Sequence, residues 1–201
     1  MLLNNLLNKY DVILASQSPR RSQLLQAMGI NFRVSANPNI DESYNSTLHP
    51  AEIACRIAQK KANDNTIMFH PNSLIIAADT IVCVNDTIYG KPKNYHEAFN
   101  TLSALSGKEH TVITGICIKT AKNLILDSET SYVYFNQLSN DDIAYYINNY
   151  KPFDKAGAYG IQEWIGYTSI AKINGCFYNI MGLPTALLYK QLNLISRMEN
   201  G

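Results

Sequence analysis

The sequence predicts a mixed α/β fold with a cleft, and two observations carry this prediction. Short apolar runs typical of buried strands alternate along the chain with segments of helical periodicity. Between residues 81 and 89, two short apolar runs flank Asn85-Asp86 in a pattern that favours a β-hairpin. The chain has 201 residues, of which 46% are hydrophobic, and this suits one domain with a sizeable core.

The first predicted element is a buried strand at 12–15, which leads through a tight turn into a helix at 19–28. Ser18 is a favoured N-cap, Pro19 suits the first helical position, and Gly29 is a natural stop. The residues before this strand are leucines interrupted by asparagines, without a preceding basic region. We therefore expect a short amphipathic turn or helix there, and no export signal.

The first turn of this helix holds two adjacent arginines, Arg20 and Arg21. A helix N-terminus carries partial positive charge, which disfavours a cation there by roughly 0.3–1 kcal/mol. A bound anion would explain the pair, because backbone N–H groups and two guanidinium forks would converge on it. Alternatively, both side chains face solvent or pair with acidic neighbours, and this segment by itself favours neither interpretation.

A strand is expected at 31–36, followed by a polar loop that contains Asp41 and Glu42. These two acids could bind a cation, cap a helix or face water. A strong helix follows at 51–64, and at 100° per residue Lys61 falls near the middle of its apolar face. A lysine there either extends to the rim or reaches into a cleft, and we favour a phosphate-binding lysine.

Residues 73–78 form a continuous apolar run typical of a strand that is buried on both faces. We expect this strand to end at Asp79-Thr80. Ligands collect at the carboxyl ends of strands in open α/β sheets, so Asp79 is a candidate metal ligand or general base, or else a turn former. The hairpin that follows leads to Gly90-Lys91-Pro92, which places a second lysine in a rigid setting.

The remaining chain continues the alternation of strands and helices. Asn94 caps a helix, and Glu97, three residues on, completes a capping-box pattern that makes Glu97 structural. A long segment rich in glycine and aromatics, at 151–166, is predicted to be a loop, and loops of that length are usually functional. The other predicted elements are strands at 110–119 and 167–173, one or two strands within 123–135, and helices at 139–149 and 185–197.

The bulk properties exclude several classes of protein. A net charge of +1 and a pI of about 7.6 give no support for a large nucleic-acid or membrane surface. The four cysteines lie far apart, so we expect reduced core residues in a cytoplasmic protein. The sequence has no apolar run of the roughly 20 residues that span a bilayer. It has neither a G-x-G-x-x-G motif after a strand nor a P-loop, which argues against an ordinary dinucleotide domain or a P-loop NTPase.

Eight polar residues, nearly all at the ends of predicted elements, remain to be explained. A polyphosphate with a divalent metal would use them, because Lys and Arg bind phosphates while acids hold a metal that activates water. Thr80 and Gln162 also carry donors and acceptors suited to the edge of a base. The eight residues are Ser16, Arg20, Arg21, Glu42, Lys61, Asp79, Lys91 and Gln162.

Taken together, these motifs show that the sequence resembles the Maf family of nucleoside triphosphate pyrophosphatases. The matching stretches cover nearly the whole chain in the order typical of the family, and as a set they are highly specific. They are LASQSPRRSQLL at 14–25, IDES at 40–43, AQKKA at 58–62, AADTIV at 77–82, GKP at 90–92, LSGKEHTVITG at 105–115, DKAGAYGIQ at 154–162 and NIMGLP at 179–184.

The resemblance implies a fold similar to the inosine-triphosphate pyrophosphatases. Residues 1–201 would form one domain without a linker, with a mixed twisted sheet in two lobes around a deep cleft. The implied reaction is hydrolysis of the bond between the α- and β-phosphates of a nucleoside triphosphate, with magnesium or manganese as cofactor. The products would be the nucleoside monophosphate and pyrophosphate.

The resemblance also implies roles for the candidate residues. Asp79 matches the catalytic acid, which takes a proton from water or orients the attacking hydroxide, and Glu42 matches an acid that holds the metal together with Asp79. The residues that match substrate-binding positions are Ser16, Arg20, Arg21, Lys61 and Lys91.

Three specificity positions, here Arg20, Thr80 and Gln162, match the branch that acts on dTTP and UTP. An amide such as that of Gln162 can both donate to and accept from a uracil or thymine edge. The branch that acts on 7-methyl-GTP tends to have an aromatic residue in place of the arginine. Glu163 and Trp164 follow Gln162 where a small residue is common, and Trp164 either stacks on the base or packs the loop, of which we favour packing.

Two alternatives stay open beside the dTTP/UTP pyrophosphatase. One is a pyrophosphatase for 7-methyl-GTP or another modified nucleotide, and the other is a non-catalytic, nucleotide-binding regulator of septum formation. The retained acid and four cations favour the enzyme. The partner we expect is a nucleoside triphosphate, with neither nucleic acid nor membrane, and family analogy suggests a homodimer.

Overall fold

The structure is a computed structural model that describes residues 7–64, 69–85 and 87–200. The predicted amphipathic leader falls largely on residues 1–6, and Asp86 belongs to the predicted hairpin turn; both lie outside the described residues. The α-helices are α1 (Pro19–Ala27), α2 (Pro50–Asp64), α3 (Tyr95–Leu105), α4 (Asn140–Tyr150), α5 (Trp164–Ser169), α6 (Phe177–Ile180) and α7 (Thr185–Asn200). The strands are β1 (Asp11–Leu14), β2 (Arg33–Val34), β3 (Ser73–Val84), β4 (Thr87–Tyr89), β5 (Glu109–Lys119), β6 (Leu124–Phe135) and β7 (Ile170–Asn174).

The described strands form one seven-stranded sheet in the order β2-β1-β3-β5-β6-β7, with β4 paired to β3. Strand β1 pairs in parallel with β2 and β3, whereas β3 with β4 and β6 with β7 pair antiparallel. The sheet is therefore mixed, and the predicted mixed α/β class is confirmed. The predicted hairpin is confirmed as well, since Val82 pairs with Tyr89 and Val84 with Thr87.

The chain divides into two compact units, and β3, β5 and β6 contribute residues to both. Unit 1 consists of the chain up to Asp79 together with Thr114–Glu129 and the residues from Gly182 onward. Unit 2 consists of Thr80–Ile113 and Thr130–Met181. The single domain with two lobes around a deep cleft stays a prediction.

Each unit has its own apolar core. A core cluster of unit 1 joins β1, α2 and β3, and its members are Ile13, Ala15, Ala58, Ala62, Ile75, Ala77 and Cys117. In unit 2, α3 and α4 pack with the segment 156–165 around a larger cluster that includes Leu102, Leu105, Phe135, Tyr146, Tyr159 and Ile165.

The strand-turn-helix at the start of the chain is confirmed. The Ser18 side chain accepts a hydrogen bond from the backbone N–H of Arg21, and Pro19 is the first helical residue. Gly29 follows the helix with φ +73°, a left-handed conformation that favours glycine. The first turn of α1 is thereby held in place, and with it Arg20 and Arg21.

The predicted strand at 31–36 is wrong in length. The strand comprises only Arg33 and Val34, whose side chains are exposed, and the Ser35 N–H just beyond it donates to the Leu14 carbonyl of β1. A strand is stabilised largely by the burial of alternate side chains. The side chains of β2 are exposed, so this edge strand extends only as far as it pairs with β1.

The predicted end of a strand at Asp79-Thr80 is also wrong, because β3 runs unbroken from Ser73 to Val84. Apolar residues on both sides of the pair are buried, so the sheet continues through it. The Asp79 carboxylate has a cationic partner, Lys61, and a partnered polar side chain does not interrupt a strand. Asp79 therefore lies in the middle of a strand rather than at its carboxyl end.

The segment 151–166, predicted to be a loop, contains regular structure. Pro152–Asp154 and Ala156–Ala158 are 3₁₀ turns, and the helix α5 occupies Trp164–Ser169. Residues 167–169 are consequently helical and not part of the predicted strand at 167–173. By its sequence pattern, the segment 164–170 could form either a strand or a helix. A helical turn forms because Gly166 approaches the Ile161 carbonyl so closely that a Cβ would not fit. A further short helix, α6, lies between β7 and α7, in a segment for which no element was predicted.

The other predicted elements are confirmed within a few residues of their bounds. Helix α4 begins at a capping box in which Ser139 and Asp142 exchange hydrogen bonds. At the start of α3, Asn94 accepts from the Glu97 N–H, and the Glu97 side chain accepts from the Lys93 N–H, so Glu97 is structural as predicted. Within the described chain, no helix is both long and apolar enough to cross a bilayer.

Candidate active site

Lys61 on α2 lies between two carboxylates of unit 1. Its Nζ is 2.5 Å from Oδ1 of Asp79 on β3 and 2.8 Å from Oε1 of Glu42. The Lys61 and Asp79 side chains are 12% and 11% exposed, whereas Glu42 is 40% exposed. One ammonium group is thus shared by a buried carboxylate and a half-exposed one.

The sequence of α2 explains why Lys61 reaches this position. The helix buries the face that contains Ile57, Ala58 and Ala62, and Lys61 lies on that face. A Cβ on Gly115 of β5 would come within 2.5 Å of the Cys55 N, so the glycine allows α2 to lie directly on the sheet. Lys61 does not extend to the rim: it pairs with acids inside unit 1, while its neighbour Lys60 is 44% exposed.

Burial makes this cluster dependent on its internal pairing. A buried charge is costly unless an opposite charge and hydrogen bonds compensate for it. Lys61, Asp79 and Glu42 together carry one positive and two negative charges, and the nearby Arg21 balances the remaining negative charge. The predicted phosphate-binding role of Lys61 stays a prediction.

Arg21 supplies a further cation in unit 1. Its Nε donates to the Gly182 carbonyl at 2.8 Å and its Nη1 donates to Ser16 Oγ at 3.1 Å, and Ser16 Oγ also accepts from the Ser18 N–H at 3.2 Å. Arg21 is only 9% exposed, so the solvent-facing alternative is wrong for this residue. Burial lowers the pKa of Arg21, and the carboxylates of Asp79 and Glu42 act in the opposite direction.

Arg20 lies beside Arg21 in the first turn of α1 and is half-buried. Its positive charge adds to the effect of burial in lowering the pKa of Arg21. Unit 1 thus contains six of the residues that were singled out from the sequence: Ser16, Arg20, Arg21, Glu42, Lys61 and Asp79.

The three other candidates belong to unit 2. Thr80 follows Asp79 on β3 and is half-buried. Lys91 is exposed and lines a cavity of about 420 Å³ between β4 and α3, together with Glu97 and Thr101. Gln162 is half-buried, and its Oε1 is buried without accepting a hydrogen bond from the described part of the chain.

The segment around Gln162 contains a polar network that was not predicted from the sequence, although Glu163 was noted there as the neighbour of Gln162. Tyr146 of α4 donates from its hydroxyl to Oε2 of Glu163 and accepts from the Gly160 N–H at 2.9 Å. Lys155 lies 3.2 Å from Oε1 of Glu163 and 2.8 Å from Asp154. The signal in the sequence was a lysine and an acid within an otherwise apolar, glycine-rich stretch.

Trp164 was expected either to stack on a base or to pack the loop. Its ring lies 4.9 Å from that of Tyr145 on α4, and the indole is half-buried. This contact agrees with the packing role that was favoured from the sequence.

The acidic side chains of unit 1 are candidate ligands for a divalent metal. Across the described residues, no three His, Cys, Asp or Glu side chains form a metal-binding group. The pair Glu42 and Asp79 supplies two carboxylates that already converge on one ammonium. Magnesium is commonly held by one or two carboxylates together with substrate phosphates and waters. The pair therefore fits a cation that arrives with a phosphate ligand, and it does not fit a cage made of protein ligands alone.

Comparison with known proteins adds to this geometry. The family described as Maf-like protein matches residues 11–195. A protein of Bacteroides thetaiotaomicron named dTTP/UTP pyrophosphatase is 46% identical over 191 residues, which cover 95% of this chain and 98% of that protein. A protein of Phocaeicola vulgatus with the same name is 48% identical over 191 residues, with coverage of 95% and 98%. Among solved structures, the Ham1 protein of Staphylococcus aureus aligns with a TM-score of 0.42 and 14% identity, over 62% of this chain and 71% of that chain.

Proposed function

Because the chain belongs to the Maf-like protein family, we propose that it hydrolyses dTTP and UTP to the nucleoside monophosphate and pyrophosphate. Relatives that bear the name dTTP/UTP pyrophosphatase and match nearly the full chain support this substrate class. The observation that carries the proposal is the contact of Lys61 with Asp79 and Glu42, beside the buried Arg21. This arrangement combines acids with cations that suit a polyphosphate.

Asp79 is the proposed catalytic residue. Its carboxylate is held on the rigid strand β3, and a carboxylate in hydrogen-bond contact with water can accept the proton released as water attacks the α-phosphate. General base catalysis of this kind typically contributes about 10²–10⁴-fold to a rate. The Lys61 ammonium donates to Oδ1 of Asp79, so a phosphate that binds Lys61 would free that oxygen to act.

The cations have complementary roles in this proposal. Lys61 and Arg20 bind phosphate oxygens, and Arg21 does so with an orientation set by Ser16 and by the Gly182 carbonyl. An arginine fork held by two fixed acceptors loses little conformational freedom when it binds an anion. Lys91, on unit 2, is proposed as a further phosphate ligand.

Glu42 and Asp79 would hold a divalent cation, magnesium or manganese, which supplies charge neutralisation and activation of water when bound. The convergence of the two carboxylates on one point, the Lys61 ammonium, supports this assignment.

Base selection is proposed for Arg20, Thr80 and Gln162. The buried Oε1 of Gln162 accepts no hydrogen bond from the described chain, and uracil and thymine both carry a ring N–H that could supply one. An unpaired buried acceptor costs about 1–3 kcal/mol, which a matching donor on the ligand would relieve.

We further propose a cytoplasmic location, the absence of nucleic-acid binding, and assembly as a homodimer. The free cysteines of the described chain, two of them buried, support a reducing compartment. The net charge of +1 gives no basis for nucleic-acid binding. The homodimer rests on family analogy.

The test is pyrophosphate release from dTTP, UTP, CTP, dGTP and 7-methyl-GTP, with and without magnesium or manganese. We expect metal-dependent turnover of dTTP and UTP that Asp79→Asn lowers by at least about 10²-fold. The control is Asp41→Asn, which changes an exposed acid of the same loop as Glu42.

Other outcomes would redirect the assignment. Preference for 7-methyl-GTP would keep the chemistry but overturn the roles of Arg20, Thr80 and Gln162. Nucleotide binding without turnover of any substrate would overturn the enzyme and leave a regulator of septum formation.

A further inference from the structure

The turn that carries Gln162 is tied at both ends to one buried side chain, Tyr146. Its hydroxyl accepts from the Gly160 N–H at 2.9 Å and donates to the Glu163 carboxylate. The backbone closes the same turn, since the Glu163 N–H donates to the Gly160 carbonyl at 3.0 Å. Gln162 is therefore enclosed in a four-residue turn whose first and last residues share one phenol.

Tyr146 is well placed to hold this turn rigidly. It lies on α4, its side chain is fully buried at 0% exposure, and its ring stacks on Tyr150 with centroids 5.1 Å apart. Burial and the Glu163 carboxylate raise the pKa of the Tyr146 hydroxyl, so the hydroxyl keeps the proton that it donates. The phenol acts as donor and acceptor at once.

Lys155 completes the network from the other side of Glu163. Its Nζ is 3.2 Å from Oε1 of Glu163, while Oε2 is the atom that accepts from Tyr146. The Lys155 side chain is 8% exposed and that of Glu163 is 19% exposed. Both carboxylate oxygens of Glu163 are thus engaged, and the side chain next to Gln162 cannot rotate without breaking an ion pair or a hydrogen bond.

The turn also confines the Gln162 amide directly. A Cβ on Gly160 would lie 3.0 Å from Gln162 Nε2 and 2.8 Å from the Glu163 carboxyl carbon, so these groups are packed against the Gly160 backbone. Oε1 of Gln162 is buried and accepts nothing from the described chain. The amide is therefore confined by the turn, and its acceptor has no partner within the described chain.

We propose that Tyr146, Glu163 and Lys155 are positioning residues that set the orientation of the Gln162 amide and thereby the choice between uracil or thymine and cytosine. Uracil and thymine present a ring N–H at N3, whereas cytosine has an acceptor there. An amide oxygen fixed toward N3 favours the first two bases and leaves cytosine with two facing acceptors. This inference rests on the proposed function, because it assigns the residues that orient Gln162 for selection of the base.

The experiment compares kcat/KM for UTP and CTP in the wild type, Tyr146→Phe and Glu163→Gln. Phenylalanine keeps the ring packing but removes both hydrogen bonds, so we expect the UTP/CTP ratio to fall about 10- to 100-fold, mainly through KM for UTP. Glutamine at 163 keeps an acceptor for Tyr146 but loses the ion pair with Lys155, so its effect should be smaller. Tyr150→Phe is the matched control, as Tyr150 lies on the same helix and stacks on Tyr146, and its ratio should not change.

A double-mutant cycle with Gln162→Ala separates positioning from a general structural effect. If Tyr146 acts through Gln162, then Tyr146→Phe should leave the UTP/CTP ratio of the Gln162→Ala protein unchanged. An unchanged ratio in both Tyr146→Phe and Glu163→Gln overturns the proposal. So does an equal loss for both nucleotides, or a selectivity loss that is fully additive with Gln162→Ala.

Failure of the proposed function would be recognised separately. Affinities for the non-hydrolysable α,β-methylene analogues of UTP and CTP, measured by calorimetry, give the same selectivity ratio without turnover. A wild type that binds both analogues but hydrolyses no nucleotide would refute the enzyme, while the ratio in the variants would still decide the role of Tyr146. If Tyr146→Phe does not fold, Glu163→Gln and its cycle with Gln162→Ala decide it instead.

Discussion

The Nζ of Lys61 lies 2.5 Å from Oδ1 of Asp79, so that helix α2 and strand β3 are joined by a largely buried ion pair in the middle of the strand. The contact makes the candidate catalytic acid part of the stabilising structure of unit 1. It also means that a phosphate or a cation must compete with an existing interaction in order to bind.

Replacing Lys61 with methionine should destabilise the protein and abolish activity. Methionine keeps most of the side-chain volume but leaves Asp79 and Glu42 without their shared cation, at a cost of about 1–3 kcal/mol in the free energy of unfolding. Urea denaturation measures this change. The matched control is Arg56→Met on the same helix, where the side chain is 60% exposed and pairs with Glu52, and the change in stability should be within about 0.5 kcal/mol. Equal stability of the two variants would contradict the assigned pairing.

The same variant should bind a divalent metal more tightly when nucleotide is absent. The ammonium of Lys61 occupies oxygens of both Glu42 and Asp79, so it competes with a cation for them. We expect Lys61→Met to raise the affinity for Mn²⁺ at least about 10-fold, equivalent to about 1.4 kcal/mol, in titrations followed by electron paramagnetic resonance. Arg56→Met should match the wild type. Weaker Mn²⁺ binding in Lys61→Met would rule out this pair of acids as the metal site.

Gly115→Ala should destabilise unit 1, because the added Cβ would lie within 2.5 Å of the Cys55 N on α2. Backbone must then move away from backbone, and overpacking of this kind costs about 1–3 kcal/mol. Activity should fall together with stability, since α2 also carries Lys61. Gly90→Ala is the control, because a Cβ there meets nothing within 4 Å. Thermal unfolding of the two variants tests the difference, and an unchanged melting temperature for Gly115→Ala would show that α2 does not approach β5 so closely.

The buried His110 should make the stability of the protein depend on pH. Burial lowers the pKa of His110 to about 4, while Phe135 and Tyr159 pack around its ring and Nε2 contacts the Tyr159 hydroxyl at 2.8 Å. Because the folded-state pKa lies below the unfolded value of about 6.5, the unfolded state binds more protons between these two values. Stability contributed by neutral His110 is present above about pH 6.5 and is lost as the pH falls toward 4.

Between pH 7 and pH 5 this loss should amount to about 2 kcal/mol in the free energy of unfolding. Urea denaturation at the two pH values measures it, and His110→Gln should remove that component. His96→Gln serves as the control because His96 is exposed. The same pH dependence in His110→Gln as in the wild type would disprove the assignment to His110.

Some site residues could be placed from the sequence, whereas others could not. The cap at Ser18, the stop at Gly29 and the buried face of α2 follow from local rules, so the positions of Arg21 and Lys61 within their helices were predictable. The continuation of β3 through Asp79 was not predictable from the sequence. A strand continues where its side chains are buried and partnered, and those partners come from distant parts of the chain. The helical turn at α5 was missed for a different reason: the close packing of Gly166 on Ile161 lies within one short segment but follows no recognisable periodic pattern.

The sequence by itself determined the alternation of strands and helices, the caps and the set of charged residues, because periodicity, turn chemistry and residue type are properties of short segments. Its motifs also determined the family. Only the tertiary structure decided which charges meet. The pairing of Lys61 with Asp79 and Glu42, the anchoring of Arg21 by Ser16 and Gly182, and the closure of the Gln162 turn on Tyr146 each join residues that are far apart in the chain or held by side-chain contacts across elements. Such contacts depend on burial, which removes competing water and makes each buried charge or polar group require a particular partner.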